Sequence, residues 1–78
     1  MTIEIHAPGS ATVNWSVFTT AFRKIVWGTA SVNGTGVIQW NLRDKTGTLV
    51  ADGLYYLRVE VQGDFGTVRK IVKIIVRP

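Results

Sequence analysis

The sequence predicts an all-β sandwich of about seven short antiparallel strands, and three observations predict it. Apolar and polar residues alternate with period two along most of the chain, as in the half-buried strands of antiparallel sheets. Turn signals built from Gly, Pro, Asn and Asp recur at roughly the 8–12-residue spacing of a sandwich. No stretch keeps the 3.6-residue period of an amphipathic helix.

With 78 residues the chain is read as one domain, residues 1–78, because so few side chains cannot build two cores. Its apolar fraction of 46 % and its three Trp, three Phe and two Tyr supply a dense core and exclude a disordered segment. It has no cysteine, so neither a disulfide framework nor a thiolate metal site is available. Residues 1–10 lack the basic segment and apolar run of a signal peptide, and no apolar run approaches the ~18 residues of a membrane span. The segment therefore reads as intracellular or as one domain of a longer exported chain. Nine Lys and Arg against five acids give a net charge of +4. Arg58, Arg69, Lys70, Lys73 and Arg77 all fall in the last 21 residues, where a cationic edge strand discourages edge-to-edge pairing. That placement argues for edge protection over nucleic-acid binding.

Taken in order, residues 2–6 place Ile3 and Ile5 on one face and read as a first strand stopped at Ala7-Pro8-Gly9. Residues 11–19 set Val13, Trp15 and Val17 against Asn14 and Ser16, with Phe18 out of step. After a tight link through Phe22, residues 23–27 form a third strand with Ile25 and Trp27 sharing a face. Residues 28–36 carry three glycines and the hairpin pair Asn33-Gly34, and read as a loop. Residues 37–42 place Ile38, Trp40 and Leu42 together, followed by a β-turn in which Gly47 supplies positive φ. Residues 48–50 return briefly, Asp52-Gly53 turns, and Tyr55, Leu57, Val59 and Val61 share one face of the next strand. A hairpin loop over residues 62–66 leads to the last strand, where Val68, Val72, Ile74 and Val76 oppose Arg69, Ile71, Lys73, Ile75 and Arg77.

The run Trp40-Asn41-x-x-Asp44-x-x-Gly47-x-x-Val50-x-x-Gly53-x-Tyr55, preceded by Val13-x-Trp15-x-Val17-Phe18 and Arg23-x-Ile25 and followed by Lys70-x-Val72, resembles the immunoglobulin-like domains of the flagellar hook-capping protein. It is similar too to the C-terminal sorting domains of bacterial type IX secretion cargo and to related β-sandwich appendages of extracellular bacterial enzymes. The resemblance covers nearly the whole chain and implies an immunoglobulin-like antiparallel β-sandwich. The family usually carries Gly where this chain has Phe22, and often Gly where it has Leu42. Either these turns are built differently here, or Phe22 and Leu42 cover apolar surface.

Residues suited to catalysis are sparse. His6 is the single histidine, the serines are Ser10, Ser16 and Ser31, and the five carboxylates fall in turns or on outward strand positions. Asp44 and Asp52 flank the Gly47 turn, where Asx-turn bonding competes with a shared calcium ion. The parity assigns Trp15, Trp40 and Tyr55 to the core and leaves Phe18, Phe22, Tyr56 and Phe65, with Trp27 undecided, as candidate exposed rings. Ile71 and Ile75 stand among Arg69, Lys73 and Arg77, so they either pack on a neighbouring strand or form a docking stripe.

The expectation is a non-enzymatic accessory, structural or sorting domain of an extracellular or cell-surface bacterial protein, with no catalytic residue, cofactor or metal site. Its partner would be a neighbouring domain of the parent protein or a secretion or assembly component. The candidate interaction surface comprises Ile71, Lys73, Ile75, Arg77, Tyr56 and Arg58. The competing reading is a carbohydrate-binding module using Tyr56, Trp27 and Phe65.

Overall fold

Period-two patterning is realised as four long strands rather than seven short ones. The computed structural model describes residues 1–77, and these form strands β1 (Thr2–Phe18), β2 (Lys24–Gln39), β3 (Gly53–Gly63) and β4 (Gly66–Val76), with no helix. All pair antiparallel in one sheet of order β2-β1-β3-β4.

Two turn signals of the sequence lie inside strands. Ala7-Pro8-Gly9 does not end a strand but forms a bulge in β1, opposite Gly34 of β2, between the pairs His6↔Thr35 and Ser10↔Asn33. Pro8 is tolerated there because a bulge requires no ladder donor. Gly34 takes a φ of +78°, so Asn33-Gly34 supplies a local distortion of β2 rather than a hairpin turn. The bulge bends both strands. Extended at ~3.3 Å per residue, 17 residues would reach ~56 Å, yet the longest dimension of the domain is 37 Å. Residues 11–18 pair with both β2 and β3, whereas residues 2–6 pair with β2 alone and fold over the inner face of β3 and β4.

The core forms where the two arms of this bend face each other. Val13, Val17 and Leu57 are fully buried, and Ile5, Ile38, Trp40, Tyr55, Val59 and Val76 join them in one cluster. Each buried aliphatic side chain contributes ~1.5–3 kcal/mol. Residues 28–36, expected as a loop, lie within β2 and pair with β1 from Trp15↔Gly28 to Ile5↔Gly36, with Val32 buried in the core and glycine where a neighbouring side chain takes the space. A Cβ on Gly28 would stand 2.7 Å from the Trp15 ring, which occupies that space.

Residues 40–52 cross from β2 to β3 and carry most of the run from Trp40 to Tyr55. Trp40 and Tyr55 meet edge to face with centroids 6.2 Å apart. Both rings satisfy their polar ends locally: Trp40 Nε1 donates to the Arg43 carbonyl at 2.9 Å, and the Tyr55 hydroxyl donates to the Ala51 carbonyl at 2.7 Å. Between them residues 42–50 form a small hairpin with an Arg43↔Leu49 bridge, and the Val50 N–H donates to the Leu42 carbonyl at 2.9 Å. Its tip is an Asx turn. One Asp44 carboxylate oxygen, Oδ1, accepts from the Thr46 and Thr48 N–H groups at 2.9 and 3.0 Å and from the Thr46 hydroxyl at 2.6 Å.

Candidate interaction surface

The outer face of the sheet is written by parity alone: whatever alternates with the core residues of β1, β3 and β4 must point away from it. The pairing fixes which of these residues become neighbours. Tyr56 lies between Phe18 and Lys73, Arg58 between Ser16 and Ile71, and Leu54 beside Ile75. Five of the six residues singled out from the sequence, Tyr56, Arg58, Ile71, Lys73 and Ile75, therefore share one region of the outer face. Arg77 is exposed just beyond the end of β4. Ile71 and Ile75 are 64 % and 56 % exposed, so neither is covered by a neighbouring strand.

Phe18 and Phe22 belong to this region and stand outside the six. Phe22, in the link between β1 and β2, stacks on Tyr56 with ring centroids 5.3 Å apart and planes inclined by 7°. It is 69 % exposed and has a φ of +61°. The link is closed by the Phe22 N–H donating to the Thr19 carbonyl at 2.9 Å and the Thr19 N–H donating to the Arg23 carbonyl at 2.9 Å. The turn therefore keeps the left-handed backbone that a glycine would adopt freely, and here a large residue adopts it. Leu42, at the other position where the resembled family carries Gly, has a φ of +62° and packs against the core cluster. Both turns are thus built in the glycine conformation, and both side chains cover apolar surface. Phe18, Phe22, Tyr56, Arg58 and Ile71 line a shallow depression of about 110 Å³. The signal for Phe22 was in the sequence, as a bulky residue where a tight link favours glycine.

The rings proposed as a sugar platform are not brought together. Tyr56 carries Phe22 on its face. Trp27, 47 % exposed on β2, is paired with Ser16 and has the Lys45 and Lys24 ammonium groups over its ring at 4.6 and 5.5 Å. Phe65 sits in the β3–β4 turn at the far end of β3, against Gly63. Trp27 lies on the outer face, since its neighbours Val26 and Gly28 pair with the inward Val17 and Trp15. Ile25, expected on the same face as Trp27, does not share it: it is the extra residue of a bulge between Val17↔Val26 and Phe18↔Lys24, and it packs against the core cluster.

Charges on this face are mainly basic. Glu60, one row from the depression, accepts from Arg69 Nε at 2.7 Å and lies 4.0 Å from Arg58. The Arg69 hydrogen bond, followed by the fields of Arg69 and Arg58, holds its carboxyl below the ordinary glutamate range. The Asp44 carboxyl is also held low, first by the Thr46 hydroxyl and then by the Thr48 N–H. His6 is exposed, 2.7 Å from Glu4 and within 3.3 Å of the Thr35 hydroxyl. Among the described residues no group of three His, Asp or Glu converges as a metal site would require, and no helix is long and apolar enough to cross a membrane. No family model, no curated protein and no solved structure matches the chain.

Proposed function

We propose that this chain is an immunoglobulin-like sandwich variant serving as a non-catalytic accessory or sorting domain of an extracellular or surface-associated bacterial protein, and that it works by docking the outer face of β3 and β4 onto a protein partner. The partner is a neighbouring domain of the parent polypeptide or a component of its secretion or assembly. The observation that carries this reading is Phe22. A phenylalanine in left-handed backbone costs ~1–2 kcal/mol, and this one recovers little by burial because most of its surface stays exposed. Such an outlier points to use of the side chain. Its neighbours Tyr56, Ile71 and Arg58 are an aromatic, an aliphatic and an arginine around one depression, a composition suited to an interface centre. The sandwich reading rests on the bend of β1 and β2, which lays residues 2–6 and 35–39 over the rest of the sheet.

The test is export and assembly of the parent polypeptide carrying this segment intact, deleted, or with Ile71→Lys and Ile75→Lys together. Both residues are exposed, so the double variant is expected to fold and to lower export or assembly as deletion does. A deletion without effect contradicts the reading.

A further inference from the structure

The inner side of the sheet carries a second feature, on the face of β4 opposite the docking surface. Val68 and Val72 point inward, paired with Val61 and Leu57, yet they remain 57 % and 37 % exposed. They border a groove of about 490 Å³ whose other wall includes Ile3 and Ile5 of β1. Both rims of the groove are strand edges. Residues 2–6 pair only with β2, and β4 pairs only with β3, so each presents one edge of backbone N–H and C=O groups without a strand partner among the described residues. A mainly apolar trough, with Glu4 and His6 on its β1 side and Lys70 on its β4 side, lying beside free backbone edges, matches the geometry that captures an extended peptide by strand addition.

Charge narrows the occupant. Strand β4 carries Arg69, Lys70 and Lys73, with Arg77 immediately after it, and no carboxylate. Arg69 is engaged by Glu60, while Lys70 on the groove wall and Lys73 on the outer face form no ion pair among the described residues. A second copy of β4 would set cations against cations across the new ladder, which disfavours self-pairing. We infer that the β4 edge and the groove beneath it form a strand-addition site for an extended segment of another polypeptide. That segment alternates apolar residues, which enter the groove over Val68 and Val72, with acidic residues, which face Lys73 and its neighbours. The site is distinct from the outer-face docking reading, because it rests on the backbone edge and inner side chains of β4 and shares only the outward cations, Lys73 first, with that face.

The probe is a capped nine-residue peptide of alternating Glu and Val, titrated into the 78-residue chain with amide hydrogen exchange read along residues 67–76. The expected result is at least tenfold slower exchange of β4 edge amides at saturation. Binding should weaken at least tenfold in Val68→Lys and in Lys73→Glu, two exposed positions where substitution leaves the core intact. An alternating Lys/Val peptide and an alternating Glu/Gly peptide should each bind at least tenfold more weakly. Equal binding by either control peptide, or binding without protection of β4, would overturn the inference. So would protection of β4 that rises with protein concentration in the absence of peptide, since a second copy would then hold the edge. The export assay on Ile71 and Ile75 reads the other face, so the two proposals fail separately.

Discussion

Phe22 and Tyr56 stack almost parallel at 5.3 Å although the Phe22 backbone is left-handed. The conformation and the contact separate by substitution. Phe22→Ala removes the stack and retains the unfavourable φ, whereas Phe22→Gly removes both. Glycine normally destabilises relative to alanine, but here Phe22→Gly should be the more stable of the two by about 1 kcal/mol. Urea unfolding of the pair decides it, and an alanine variant at least as stable as the glycine variant would show that φ is ordinary.

The Trp40–Tyr55 pair organises the crossing from β2 to β3. Trp40→Ala should cost about 3–5 kcal/mol, enough to unfold much of a domain of this size. Tyr55→Phe keeps the ring and loses the hydroxyl bond to the Ala51 carbonyl, so its cost should be about 1 kcal/mol. Thermal melts of the two variants check both values.

Much of the fold was legible because period two survives in the final sequence wherever one face is buried. The parity of Val13, Val17, Leu57, Val59 and Val76 was readable and the structure buries all five. Strand count was not readable, because Pro and Gly mark bulges as well as turns. Ala7-Pro8-Gly9 and Asn33-Gly34 are opposite sides of a single bend, and only the pairing between distant residues shows it. Gly28 and Gly36 looked like loop residues for a similar reason. Their smallness makes room for the side chains of Trp15 and Val32, which sequence spacing does not reveal. The outer-face candidates were readable by parity along β3 and β4, but Phe22 joins them only through its turn geometry.

Gly28→Ala drives a Cβ into the Trp15 ring and should cost about 1–3 kcal/mol. Gly9 has open space around it and no positive φ, so Gly9→Ala should be neutral or stabilising by up to about 1 kcal/mol. Chemical denaturation of the two variants should therefore move the midpoint in different directions, or at Gly28 alone.

Acid should weaken the domain through Asp44 and Glu60. Both carboxyls titrate below their ordinary values in the folded chain, so each stabilises it fully above the unfolded-state pKa of about 4. That contribution is lost as pH falls through the lower folded-state values. Asp44→Ala should lower Tm at pH 6, and the gap from the parent sequence should close as acid protonates the folded-state carboxyl, below the ordinary carboxylate range. A gap that does not narrow on acidification would assign the Thr46 and Thr48 contacts no role in the ionised turn.

With Tyr56 stacked by Phe22 and ammonium groups over Trp27, titration with a panel of soluble polysaccharides should leave tryptophan emission unchanged. A saturable shift abolished by Trp27→Ala would instead establish sugar stacking on β2.

The proposed docking of the outer face of β3 and β4 onto a protein partner is measured most directly by calorimetric titration of both candidate partners, a neighbouring domain and the secretion or assembly component, into this chain. Saturable binding that weakens at least tenfold in Ile71→Lys with Ile75→Lys, at unchanged Tm, is the predicted result; equal affinity of the double variant, or no binding by the unmodified chain, would contradict it.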